Sequence, residues 1–199
     1  MSIISLFSGS FCQAEAIVSL LLERTGFVRV ADDEIVRRAS ELSGVTQEKL
    51  VRSLSAKPSV FSNFTGERER SIANLRYAVA ERLLADEMVV EGFCSHLIPR
   101  TITHALQVCL IADMAARIDR AVSEQDLKRK EAGKLVRRRD EKAAAWVQAV
   151  AGSQDPWNPD LYDVLIPTDK TDLEAAIDLI ANSLRKDVVQ VTPSSKKAA

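Results

Sequence analysis

Four things are scarce in this 199-residue chain, and each scarcity excludes a class of function. Cysteine occurs three times, as Cys12, Cys94 and Cys109, without a CxxC pair, so neither a disulfide framework nor a structural zinc site is indicated, and a reducing cytoplasm is the expected location. No apolar run approaches the roughly 18 residues needed to cross a bilayer, and the N-terminus carries no basic, apolar leader pattern, so neither membrane span nor export is expected. Charge of one sign is lacking too. A formal net charge of −1 argues against a general nucleic-acid binder. Finally, glycine and lysine are missing where they would be most telling. Ser2 to Ile17 reads as a buried strand, a tight turn and a helix start, the usual setting of a phosphate-binding loop. Such a loop wants glycines so that backbone N–H groups can wrap a phosphate, then a Lys for the phosphates and a Ser or Thr for Mg²⁺. Here Phe11 and Cys12 precede the helix, and no Lys occurs before Lys49.

What is present describes an ordinary α/β domain. Hydrophobic residues make up 46% and charged residues 28%, enough for one full core. Short apolar runs at 3–7, 88–92, 106–111 and 163–167 read as strands, with a shorter extended piece over 27–30. Between them run helical patterns. One spans Ala14 to Thr25 and stops at Gly26; another opens on Asp32-Asp33-Glu34 and closes at Gly44; Thr46 caps a short third. A long helix is expected from Glu67 to Glu87, after a loop over 57–66 in which Phe61 and Phe64 serve as anchors. Asp113 is expected to cap Met114 to Val122, and Ser123 to cap a long charged helix reaching Val150. A capping box at Thr171 to Glu174 opens the last helix. Strands alternating with helices predict a parallel sheet covered on both faces. Residues 1–187 form the expected domain, and 188–199 have the composition of a linker or disordered tail.

The order of these pieces is similar to that of the cytidylate-kinase-like family of P-loop proteins. The resemblance rests on Gly9-Ser10 after the first strand, the Asp33-Glu34-Ile35 helix start and the strand end Val89-Val90-Glu91-Gly92. It rests also on Ala112-Asp113-Met114-Ala115-Ala116-Arg117-Ile118-Asp119-Arg120 and on the closing segment Trp157 to Thr168. It implies a three-layer nucleoside-monophosphate-kinase-like fold with a helical lid over about 114–150, and ATP with Mg²⁺ and a pyrimidine nucleotide as the ligands of active members. Candidate nucleotide-binding residues are Gly9, Ser10, Phe11, Cys12, Gln13, Arg117, Arg120 and Arg139.

This chain departs from the family pattern at the loop. Members usually show Gly-Ser-Gly-Gly and then a basic residue, where this chain has Gly9-Ser10-Phe11-Cys12-Gln13. Glu15 falls near the position of the Mg²⁺-binding hydroxyl, where a carboxylate repels phosphate. After the third strand Gly92 is followed by Phe93 instead of Arg, and Ala143 stands where an Arg is expected three residues beyond Asp140. Arg117, Arg120 and Arg137 to Arg139 could compensate by gripping phosphates bidentately. Alternatively, the basic residues of the long helix, interspersed with acids, form a solvated face.

Three functions follow: a domain impaired in phosphoryl transfer that senses a nucleotide or binds a protein, attached to a signalling domain; a divergent CMP/dCMP kinase; or a dimerising domain with an empty pocket. Cys12 at a helix start invites a thiol switch with Cys94. No metal site is supported by His96 and His104, and Trp146 and Trp157 are expected to cover the core edge.

Overall fold

The computed structural model describes residues 3–55 and 66–185; the loop expected over 57–66, apart from Gly66, and the tail at 188–199 lie outside them. The apolar runs form a five-stranded parallel sheet of β1 (Ile3–Ser8), β2 (Val28–Val30), β3 (Met88–Glu91), β4 (Ala105–Ile111) and β5 (Val164–Pro167), ordered β2-β3-β1-β4-β5. β1 is central, aligned Ile4 to Val89 on one side and Ile4 to Leu106 on the other.

Central parallel strands are buried on both faces, so successive side chains of β1 enter two different cores. Ile3 and Phe7 join Val90, Cys109, Leu75 and Trp146 on one face, whereas Ile4 and Leu6 join Ile17, Leu21, Ile166 and Ile177 on the other. The second face is covered by α1 (Ala14–Thr25) and α7 (Leu173–Leu184). The first is covered by α2 (Asp32–Ser43), α3 (Gln47–Ser55), α4 (Glu67–Arg82) and part of α6 (Arg129–Ala151). The outer half of α6 packs on α5 (Met114–Gln125), and together these two helices are the expected lid. Among the described residues, no helix is long and apolar enough to cross a membrane.

Three helix boundaries differ from expectation. α5 runs through Ser123 and stops at Asp126, which adopts a left-handed conformation (φ 50°); the following helix opens with the Lys128 backbone N–H donating to the Glu131 carboxylate at 3.3 Å. α4 ends at Arg82, and a turn leads to Glu87, also left-handed (φ 63°). The last helix starts one residue later than expected, with the Asp172 carboxylate accepting from the Ala175 N–H. Trp146 does not cover an edge. It is fully buried and donates from Nε1 to the Phe93 carbonyl at 2.8 Å.

Candidate functional site

The loop between β1 and α1 leaves the C-terminal edge of the central strand, where α/β sheets bind ligands. Gly9 is held by its N–H to the Leu110 carbonyl at 2.9 Å, and no side chain fits there: a Cβ would stand 2.9 Å from Cys12 Sγ. Beyond it, Phe11 (φ 62°) and Gln13 (φ 59°) are both left-handed. That conformation suits glycine and costs an ordinary residue roughly 1 to 2 kcal/mol; of the two positions where the family pattern has glycine, Phe11 keeps a glycine-like backbone with a side chain added, while the second left-handed residue is Gln13 and not Cys12. The side chain of Phe11 offsets its own cost. It is buried between the lid helices against Ala121, Ala132 and Val136, with the Arg139 guanidinium 4.7 Å above its ring.

Both lid arginines on α5 point at the loop. Arg117, 5% exposed, donates from Nε to the Ser10 carbonyl at 2.8 Å and from Nη2 to Ser10 Oγ at 2.9 Å. Its remaining donors face Asp140 on α6, with Nη1 3.0 Å from the carboxylate. Arg120 donates from Nη1 to the Phe11 carbonyl at 3.0 Å and from Nη2 to the Thr168 carbonyl at 2.8 Å. With its amide oxygen turned inward, Gln13 accepts from Arg120 at 3.0 Å as well. Five of the eight candidates, Ser10, Phe11, Gln13, Arg117 and Arg120, thus form one hydrogen-bonded assembly, with Gly9 and Cys12 packed beneath it and Arg139 on its lid side. Trp157 closes the floor, stacked on Phe7 with centroids 5.6 Å apart and the Arg117 guanidinium 5.9 Å from its own ring centroid.

Two features of the site were not read from the sequence. Glu15 is neutralised by Arg29 of the edge strand, which donates to both its carboxylate oxygens at 2.9 and 2.7 Å and also to Glu91 at 2.7 Å. These bonds hold the Glu15 carboxyl below the usual carboxylate range. The second is Asp32, whose carboxylate accepts from the N–H groups of Phe93 at 2.9 Å and Cys94 at 2.7 Å, although burial pushes its carboxyl upward. Asp32 fills the space over Gly92 (φ 93°), where a Cβ would approach it to 2.5 Å. The turn after β3, which carries Phe93 where Arg was expected, is therefore occupied by a carboxylate. Only the alternation of Val28-Arg29-Val30 hinted at an outward Arg on an edge strand.

Cys12 is 1% exposed, and burial pushes its thiol up to about 11 despite the nearby Arg117 and Arg120. Cys94 is fully buried and pushed higher still than its ordinary value, so the helix start activates neither thiol. At pH 8 the Cys12 thiolate fraction is on the order of 0.1%. Native protein is expected to react with a small alkylating reagent at least about 100-fold more slowly than the same protein in denaturant; rapid labelling of Cys12 without unfolding would reinstate the switch.

His96 lies edge-on to Phe7, with centroids 4.4 Å apart, and its Nε2 is 3.3 Å from Tyr162 Oη. Burial pulls its imidazolium down to about 4. Between that value and about 6.5 the unfolded chain binds the extra proton and the folded one does not, so this contribution to stability is complete above about pH 6.5 and is lost as pH falls toward 4. The loss attributable to His96 is expected to be roughly 2 to 3 kcal/mol, read as the difference in pH dependence between the wild type and His96→Phe in denaturant titrations. Parallel pH profiles for the two proteins would show that His96 keeps an ordinary affinity for its proton.

Among the described residues no group of three or more His, Cys, Asp or Glu side chains could hold a metal ion. Residues 3–170 match the family described as cytidylate kinase-like. No curated protein matches the sequence. Among solved structures, an uncharacterized protein of Eubacterium ventriosum is similar at 12% identity and a TM-score of 0.66, with 94% of this chain and 99% of that one covered. A shikimate kinase of Bacteroides thetaiotaomicron matches at 9% identity and a TM-score of 0.53, covering 92% and 98%. At such identities these similarities establish the fold alone, and that fold is the P-loop kinase-like α/β architecture.

Proposed function

Because this chain belongs to the cytidylate kinase-like family, we propose that it is a kinase-fold domain impaired in phosphoryl transfer, acting as a nucleotide-sensing or protein-interaction module in signalling. One observation carries the reading: Arg117 and Arg120, the cations placed to replace the absent loop Lys, spend their donors on the loop's own Ser10 and Phe11 oxygens and on Asp140 and Thr168. The fold family implies Mg²⁺ and ATP. The residues here do not fit them as a catalytic pair, since Gln13 stands where the loop cation is expected and Glu15, near the expected hydroxyl, is held by Arg29. No transfer step runs through them. The competing reading, a divergent CMP/dCMP kinase, draws on Arg137 to Arg139, which are exposed along the lid.

Thermal-shift titration with Mg²⁺·ATP, CMP and dCMP, singly and in pairs, separates the two roles. Ligand at about 100 times its dissociation constant stabilises by roughly 2.7 kcal/mol, a rise of about 5 to 10 °C for a domain of this size. A rise without turnover is the sensing role. No rise with any of them leaves the protein-interaction role, and a rise with ordinary turnover overturns the proposal.

A further inference from the structure

The acids interspersed along the basic run of α6 do not neutralise it. Glu131 turns back to the Lys128 N–H at 3.3 Å, and Asp140 is taken by Arg117 of α5. Arg129 pairs with Asp119 across the contact between the two helices, and Arg139 lies over the Phe11 ring. Lys130, Lys134, Arg137 and Arg138 are left, all exposed and without an ion-pair partner among the described residues. At roughly 100° per residue these four occupy one sector of the helix, opposite the buried Ala132, Val136 and Ala143. They therefore face away from the loop, from α5 and from the sheet. The ridge they make is about 12 Å long, and Glu141 closes it at its C-terminal end. Lys134 stands four residues from both Lys130 and Arg138 and three from Arg137, spacings at which helical side chains are neighbours and like charges oppose the helix.

We propose that this ridge docks an acidic segment of a partner protein, one that presents a run of Asp and Glu side chains to it. Charge selects the partner. Four cations are concentrated on one ridge of a chain whose net charge is −1, so the molecule outside the ridge is net acidic. That background repels a long polyanion such as a nucleic-acid duplex, whose phosphates extend beyond the ridge, whereas a short acidic segment meets the cations alone. A ridge that stacked bases or entered a lipid surface would need exposed aromatic or apolar side chains. Among the described residues, none of the large exposed apolar side chains lies on α6. Arg137 and Arg138 offer planar forks that match carboxylates, and Lys130 and Lys134 offer point charges beside them. The inference rests on the protein-interaction role proposed above and gives that role a partner chemistry; the nucleotide-sensing role does not depend on it.

The probe is fluorescein-labelled octaglutamate, titrated with the full chain and followed by anisotropy. Binding is expected with a dissociation constant on the order of 100 μM in about 50 mM salt, weakening at least about fivefold in about 200 mM salt. Lys134→Glu and Arg138→Glu are each expected to weaken it at least about tenfold, whereas Arg70→Glu, which reverses an exposed arginine on α4, leaves it within about twofold. Melting separates docking from an effect on the fold. Lys134→Glu turns repulsion into attraction toward Lys130 and Arg138, so its melting temperature is expected to rise by about 1 to 2 °C while binding is lost. Mg²⁺·ATP is expected not to displace the probe, because the ridge faces away from the loop. The proposal is overturned by an absence of binding up to about 1 mM, or by binding no more sensitive to the ridge variants than to Arg70→Glu. It is overturned equally by a fall in the melting temperature of Lys134→Glu, or by displacement with Mg²⁺·ATP. Tighter binding to a single-stranded RNA of the same charge, or to vesicles containing phosphatidylserine, would assign the ridge to nucleic acid or membrane instead. None of these results alters the thermal shift with nucleotides, on which the sensing role is judged separately.

Discussion

Incubated with saturating Mg²⁺·ATP and CMP or dCMP, the protein is expected to turn over below about 10⁻² s⁻¹, against roughly 1 to 100 s⁻¹ for working kinases. Phosphoryl transfer leaves little covalent work to the protein; the rate comes from positioned charge on the moving phosphoryl group. Removing one preorganised donor at such a site costs about 10²- to 10³-fold. Two are missing here, the loop cation and the Arg after β3, whose places are taken by Gln13 and by Phe93 under the Asp32 carboxylate. The substitutes are engaged elsewhere: Arg117 is buried between Ser10 and Asp140, and moving it onto a phosphate would leave that carboxylate, 22% exposed, without its partner. Turnover is measured by coupled ADP release, with formation of CDP checked by chromatography. An ordinary rate with either acceptor would establish the divergent kinase.

Arg117→Ala is expected to lower the unfolding free energy by about 3 kcal/mol, seen as a fall of roughly 6 to 12 °C in melting temperature for a domain of this size. Breaking a buried ion pair from one side strands the other charge, and Arg117 also ties the Ser10 carbonyl and hydroxyl to the lid. The value sits at the lower end for such pairs because Asp140 retains some solvent. Asp140→Asn keeps an acceptor for Arg117 and is expected to cost less, about 1 to 2 kcal/mol. Equal and small losses in both variants would mean that the lid is held by Phe11 packing alone.

The fold was legible in the sequence because it is written in local terms. Apolar runs such as 106–111 are too short for helices and too continuous for one-sided strands, which leaves central parallel strands. Boundaries failed where the chain breaks without glycine or proline. Asp126 ends α5 by adopting left-handed backbone, and α4 stops at Arg82 with its cap Leu83 still right-handed, choices tertiary packing makes for residues that do not advertise them. Ser123, a good cap in isolation, lies inside α5 because Val122 and Ile118 continue its packing against α6.

At the site, the identities of Arg117 and Arg120 came from resemblance, but what they bind did not. Their loop acceptors lie more than one hundred residues earlier, in carbonyl groups that have no sequence signature. Phe11 illustrates the same limit. It reads locally as an obstruction to phosphate, whereas in three dimensions it is also the peg that joins loop to lid. The Glu15–Arg29 pair joins α1 to an edge strand and likewise has no local pattern.

The central claim is that the lid arginines serve the loop instead of a nucleotide. It is tested most directly by NMR of the arginine Nε–H groups, recorded with and without millimolar Mg²⁺·ATP and CMP. Arg117 Nε–H, bonded to the Ser10 carbonyl, is expected to be protected from solvent exchange and unmoved by nucleotide. Loss of that protection, or a large shift of both Arg117 and Arg120 on addition, would show the arginines leaving the loop for phosphate and would contradict the account.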